Sequence, residues 1–239
     1  MKKYFLAISA LCLLGLTACG GGGGGGSSTT PIVTSQAVLS GFPLQSAFKA
    51  FVSKRSETDY KITGSCLGTT KIILTAPSAA TFDGAPALSV DNIISGTFSN
   101  STCTPASFSS TSITYYDSNY VPLGGSSSSQ YGIFLTAPPR FPISVKLGDT
   151  AFYGTQNLFT DSSQKTPLGR SDFSYVIELD GTSTNSAIAN LITKDYNQSN
   201  ELLKIDQARY RLGVDGTFTP LSKDTQLIIT ARSIVLTAI

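Results

Sequence analysis

Phe173-Ser174-Tyr175-Val176-Ile177-Glu178-Leu179-Asp180 sends Phe173, Tyr175, Ile177 and Leu179 to one side and Ser174, Glu178 and Asp180 to the other. A strict period of two, with one face apolar and one polar, is the pattern of an antiparallel strand that is half buried and half wet. The segments downstream repeat the theme. Ala187–Asp195 and Glu201–Arg211 are strand candidates separated by the turn-forming run Tyr196-Asn197-Gln198-Ser199-Asn200. Asp215-Gly216 divides Tyr210–Val214 from Thr217–Leu221 and predicts a two-residue type I′ hairpin, because that turn needs positive φ at both central positions. Pro220 predicts a strand edge or end. The closing run Gln226–Thr237, rich in Ile, Val and Thr, predicts one buried strand.

Towards the N-terminus the alternation loosens. Tyr60–Cys66, Lys71–Ala76, Leu88–Phe98, Thr111–Tyr116 and Tyr131–Thr136 are strand candidates between Gly, Pro, Ser and Asn clusters. Gly124-Gly125 with Ser126–Ser129 predicts a loop, and Pro138-Pro139-Arg140-Phe141-Pro142 predicts a break. The span 124–142 is therefore where the domain would divide. In Pro43–Val52 the apolar residues Leu44, Ala47, Phe48, Phe51 and Val52 recur at helical spacing, predicting one helix lying across the sheet. The expected fold is all-β: an antiparallel sandwich or half-barrel over 36–239, with one packed helix near its start.

The N-terminal stretch carries a different message. Lys2 and Lys3 precede an apolar core from Tyr4 to Leu16 that is too short for a permanent membrane span. Leu16-Thr17-Ala18-Cys19 then resembles the lipobox of bacterial lipoproteins. That resemblance implies a signal peptide over 1–18, lipidation of Cys19 and attachment to a membrane through the lipid. Gly20 directly after the cysteine implies, on the same resemblance, the outer membrane. Gly20–Gly26 and Ser27-Ser28-Thr29-Thr30 carry no large side chain and predict a flexible tether over 19–35, with a reach of roughly 17–20 Å. The chain as a whole is similar to uncharacterised Gram-negative lipoproteins, a likeness that brings no catalytic residues. A helix leading into a curved antiparallel sheet also resembles the half-barrel lipoprotein carriers of the outer membrane, by order of elements alone.

Composition narrows the chemistry. Lys2 and Lys3 account for the formal charge of +2, so the remainder is neutral and offers no electrostatic footprint for nucleic acid. Histidine is absent from all 239 residues, which removes Ser-His-Asp and Cys-His arrangements and the common zinc sites. No cofactor or metal is expected. Cys12 falls in the signal peptide and Cys19 is the lipid site, leaving Cys66 and Cys103 as one disulfide.

Ser46-Ala47-Phe48-Lys49 matches S-x-x-K, as does Ser162–Lys165. A composition this rich in serine produces such matches by chance, and the K-T-G strand that accompanies the motif in β-lactamases is missing. Asp172, Glu178 and Asp180 are the nearest thing to a carboxylate cluster and read as a solvated strand face. Tyr115, Tyr116, Tyr120 and Tyr131 lie around Asp117, Asn119 and a serine loop, where rings and amides together suit sugars or peptides. Arg209 and Arg211 share a strand face fit for an anion or simply for protecting an edge. The expectation is a non-enzymatic, membrane-tethered protein with a binding or structural role, sharpest as a carrier of a hydrophobic ligand, with an envelope component as the other partner. An enzyme acting on envelope glycan through carboxylates or serine, and a surface adhesion or assembly scaffold, are the competing expectations.

Overall fold

The first and last strands of this chain pair with one another. In the computed structural model, β1 (Ser56–Gly64) aligns antiparallel with β13 (Arg232–Ala238), Tyr60 opposite Ala238 and Gly64 opposite Ile234. Between them the chain runs up and down through β2 (Gly68–Leu74), β4 (Ala85–Phe98), β5 (Ser107–Tyr116), β6 (Pro122–Ser127), β7 (Tyr131–Phe134), β8 (Thr150–Phe159), β9 (Pro167–Leu179), β10 (Ser186–Asn197), β11 (Leu202–Gly213) and β12 (Phe218–Leu227). Each strand pairs with the next in this series, and β2 pairs with β4, so twelve strands form a closed antiparallel barrel. The structure describes residues 41–100, 103–228 and 230–239. The all-β class is as expected, but the sheet is neither a sandwich nor a half-barrel. Closure removes the two edges an open sheet would leave unpaired.

The thirteenth strand, β3 (Ser78–Phe82), leaves the ring. It pairs with the first residues of β4 through a two-residue turn, Asp83-Gly84, with φ of 50° and 78°. This is the type I′ chemistry expected at Asp215-Gly216. There the strands end at Gly213 and Phe218, and only Gly216 has positive φ, so the connection is wider. The Asp83-Gly84 hairpin lies over the outside of β5–β7, where Phe82 stacks on Tyr115 and Tyr131 at 4.5 and 5.2 Å between ring centroids. It packs directly on Gly124, where a Cβ would fall 2.3 Å from Phe82 Cζ.

Two other expectations are corrected. Gln226–Thr237 is the end of β12 and all but the last residue of β13, which pair antiparallel, with Ala231 at φ 48° between them. The glycine and serine run at 124–127 is strand β6 rather than a loop, held by ladders on both sides. Pro220 sits in an interior strand at a register shift between β11 and β12, where its missing N–H breaks no regular ladder.

Helix α1 (Leu44–Val52) does not lie across a sheet face. It closes one end of the barrel. Phe48 meets Phe141 at 4.9 Å, Phe51 meets Tyr210 and Phe218 at 5.4 and 5.6 Å, and Val52 packs with Val90 and Tyr116 from the opposite wall. Phe42 pairs by backbone with Val145 in the β7–β8 connection, adding a second layer to the plug. Leu44 of the helix and Ala187, Ala189 and Leu212 of the wall are fully buried.

The pleat fixes which residues face out. Lys61, Lys71, Asp91, Asp172, Glu178, Lys194, Arg209 and Asp224 all stand on the outer wall, opposite in parity to the buried core. Charged side chains thus punctuate the outer wall on β1, β2, β4 and β9–β12, alternating there with aliphatic ones such as Ile113, Ile188 and Ile205. Among the described residues no helix is long and apolar enough to cross a membrane.

At the end opposite the helix, Cys66 and Cys103 form a disulfide with a Cα–Cα distance of 5.8 Å, joining the β1–β2 and β4–β5 connections. Its sequence separation is 37 residues. By loop entropy alone such a bridge stabilises by about 3–4 kcal/mol. The Cys66→Ala/Cys103→Ala double variant should lose about that much in urea unfolding, with its far-ultraviolet circular dichroism unchanged below the transition.

Candidate functional site

A ring of twelve strands encloses more width than its own side chains fill. Helix α1 occupies one half of the lumen. The other half is apolar along β1, β2, β4 and β5, where Tyr60, Ile62, Phe98 and Phe108 pack around the disulfide. It is polar along β9–β12. Between these two arcs, on the wall formed by β5–β9, lies an open cavity of about 320 Å³.

The cavity exists because inward positions on this wall are small. β5 offers Ser112 and Thr114, β6 offers Gly125 and Ser127, and β7 offers Gly132. Bulk returns at the bottom, where Phe134 and Phe173 meet at 5.4 Å beside Tyr153, and at Leu158, which stands higher on the wall opposite Gly132. Tyr153 stacks on Phe141 at 4.5 Å, tying the floor to the helix plug. Burial pushes its hydroxyl well above the ordinary tyrosine range, so it stays neutral. Gln156 lies across Gly132, whose absent Cβ would sit 2.7 Å from Gln156 Oε1, and Gln130 stands among the cavity's polar residues. None of the residues lining the cavity is charged. The site can hold an apolar face against aromatic rings and satisfy hydroxyls with amides and serines; it offers no partner for an ion.

The charges in the polar arc are spent on each other. Lys204 Nζ lies 2.9 Å from both Asp195 and Asp206. Ser171 Oγ donates to Asp195 and Thr225 Oγ1 to Asp206, each at 2.6 Å. Burial opposes the Lys204 charge, but the Asp206 and Asp195 carboxylates outweigh it and hold its pKa above the lysine norm. Burial likewise opposes the Asp206 charge, and Lys223 and Lys204 overcome it, setting that carboxyl below the usual range.

The residues singled out from sequence fall in several places. Tyr115, Tyr116, Tyr120 and Tyr131 are split by the barrel wall. Tyr115 and Tyr131 lie outside beneath Phe82; Tyr116 and Tyr120 lie at the plugged end, 6.3 Å apart, with Lys49 Nζ 5.4 Å from the Tyr120 ring. Asp172 accepts from Thr155 Oγ1 at 2.7 Å and pairs with Arg170. Glu178 accepts from Asn190 at 2.7 Å and faces Arg209. Asp180 takes bonds from Ser186, Thr182 and Arg211 in the β9–β10 turn, which hold its carboxyl far below the usual range. Arg209 and Arg211 are therefore engaged by Glu178 and Asp180. Ser46 Oγ donates to the Pro43 carbonyl at 3.3 Å rather than to Lys49. Cys19, with the signal peptide and tether, lies outside the described residues.

Sequence reading placed Phe173 on the buried face but missed Phe134, Tyr153, Gln156 and Leu158 as cavity residues. The signal available was the run of Ser, Thr and Gly at alternate positions of 110–132, which leaves one stretch of wall without bulk. No protein family, curated protein or solved structure matches the chain.

Removing Lys204, while Lys223 stays near Asp206, tests the charge network. Lys204→Met leaves two carboxylates facing each other and should destabilise the barrel by about 1–2 kcal/mol, the lumen's partial hydration reducing the cost of a fully buried pair. Because the folded pKa values of Asp180 and Asp206 lie below their unfolded ones, wild-type stability should be full above pH ~4 and fall as acid titrates them. Urea midpoints measured from pH ~7 to ~2 check both, and the variant should show the shallower acid loss.

Proposed function

We propose that this protein is a lipid-anchored, non-enzymatic binding barrel of the outer membrane that takes a small uncharged amphipathic molecule into its lumen. The observation that carries this reading is the uncharged cavity between the helix plug and the open end. At about 320 Å³ it stands at the small end of ligand sites, which run from roughly 300 to 1,000 Å³. Phe134, Phe173 and Leu158 suit an apolar face, while Gln130, Gln156, Ser112 and Ser127 suit hydroxyls. An ion entering there would lose hydration without gaining a counter-charge.

The anchored half of the reading rests on Leu16-Thr17-Ala18-Cys19, and the Cys66–Cys103 disulfide is in keeping with an oxidising compartment. Binding is favoured over hydrolysis because Asp172, Glu178 and Asp180 are each held by donors on the outer wall or at a turn, away from the cavity.

The chain contains no tryptophan, so a single one introduced at Ser112 reports on the cavity alone. Titrating Ser112→Trp with octyl glucoside below its micellar concentration should give a saturable blue shift. Octyl sulfate, with the same tail and a charged head, should bind at least about tenfold more weakly. Equal binding of the two, or no saturation by octyl glucoside, overturns the reading.

A further inference from the structure

The plugged end of the barrel carries a collar of apolar side chains that face out. Ile143 in the β7–β8 connection and Leu179 at the end of β9 are 79% and 71% exposed. Leu135, Leu147, Phe152 and Val214 are exposed at the same end. Their inward neighbours Phe42, Leu44 and Val145 are buried, so the collar is an addition to the core and not part of it.

The described chain begins in the middle of this collar. Gly41 presses on the residue after Ile143: a Cβ there would sit 2.0 Å from Ser144 Oγ. Phe42 exchanges backbone hydrogen bonds with Val145. Pro43 lies against the β11–β12 turn, where a Cβ on Gly216 would be 3.7 Å from Pro43 Cγ. Gly41 and Pro43 are thus set between the β7–β8 connection and the β11–β12 turn. Val214 N donates to the Asn185 carbonyl and Gly148 N to the Ile177 carbonyl, drawing the turns that carry Val214, Leu179 and Leu147 together. Arg140 and Lys146, both exposed and in no ion pair among the described residues, bracket Ile143.

We infer that this collar seats on a phospholipid surface, so that the barrel stands with its plugged end on the membrane and its cavity opening away from it. The inference rests on the anchored reading, since the proposed lipid at Cys19 precedes the exit point at Gly41. Apolar side chains with Arg140 and Lys146 beside Ile143 match an interface of acyl chains beneath anionic headgroups, while Asp149 and Asp215, exposed at the turns of Leu147 and Val214, would stay at its aqueous rim.

The test uses the full chain extracted from membranes and reconstituted into vesicles of phosphatidylethanolamine and phosphatidylglycerol containing a brominated-chain phospholipid. Ile143→Trp adds a reporter at a site that touches no core; Leu67→Trp does so at the opposite end. Co-flotation with the vesicles, together with quenching of about half the emission from Ile143→Trp and none from Leu67→Trp, supports the collar as the seat. Flotation without quenching of Ile143→Trp overturns the seat and leaves the anchor standing, whether water, a second copy or residues 32–39 cover the collar instead. Failure to float overturns both.

Discussion

A twelve-strand antiparallel ring is wider than its own side chains can fill, and the rest of this molecule follows from how that width is met. Left empty, such a lumen would forfeit the dispersion contacts and burial that make a β-sheet worth folding. One half is closed by a nine-residue helix and the β7–β8 connection, which bring Leu44, Phe48, Phe51, Phe141 and Val145 between opposite walls. The opposite half is narrowed by packing around the Cys66–Cys103 bridge and by the Lys204 network. What neither device reaches, along β5–β9, stays open as the cavity.

This division explains why the cavity is neutral. Charged residues inside the ring are confined to the arc where acid and base can meet, and the wall without partners is built from Ser, Thr, Gly, Gln and aromatic rings. Outside, the logic reverses. Charged side chains along the strands keep the wall wet, and a large aromatic cluster there is covered by the Asp83-Gly84 hairpin. Phe82 has a seat only because Gly124 has no side chain, which ties the one strand outside the ring to the composition of β6.

Much of the fold could be read from short-range pattern. Strands with one apolar and one polar face, such as Phe173–Leu179, and the helical stripe of Leu44–Val52 were legible because burial imposes a period. Strand β6 was hidden because glycine and serine carry no hydrophobic signal, and their use there is to leave room. Gln226–Thr237 reads as one strand because residues 228–231 include no Gly or Pro; only tertiary pairing turns it back. Closure was invisible for a further reason: the pairing of residues 60–64 with 234–238 leaves no local trace. The tyrosine cluster shows what sequence proximity hides. Tyr115 and Tyr116 are adjacent in an extended strand, so the pleat alone sends them to opposite sides of the wall.

The seam between β1 and β13 bears on how the molecule comes into being. Everything from Ser56 onward must be available before the ring can shut, because its last staple is supplied by Arg232–Ala238. Until those residues are in place, β1 and β12 both present unsatisfied backbone to whatever strand is nearby. The unclosed barrel is thus a sticky, open curl whose closing contact joins strands far apart in the chain, so the ring completes as one unit and not by domain-by-domain growth.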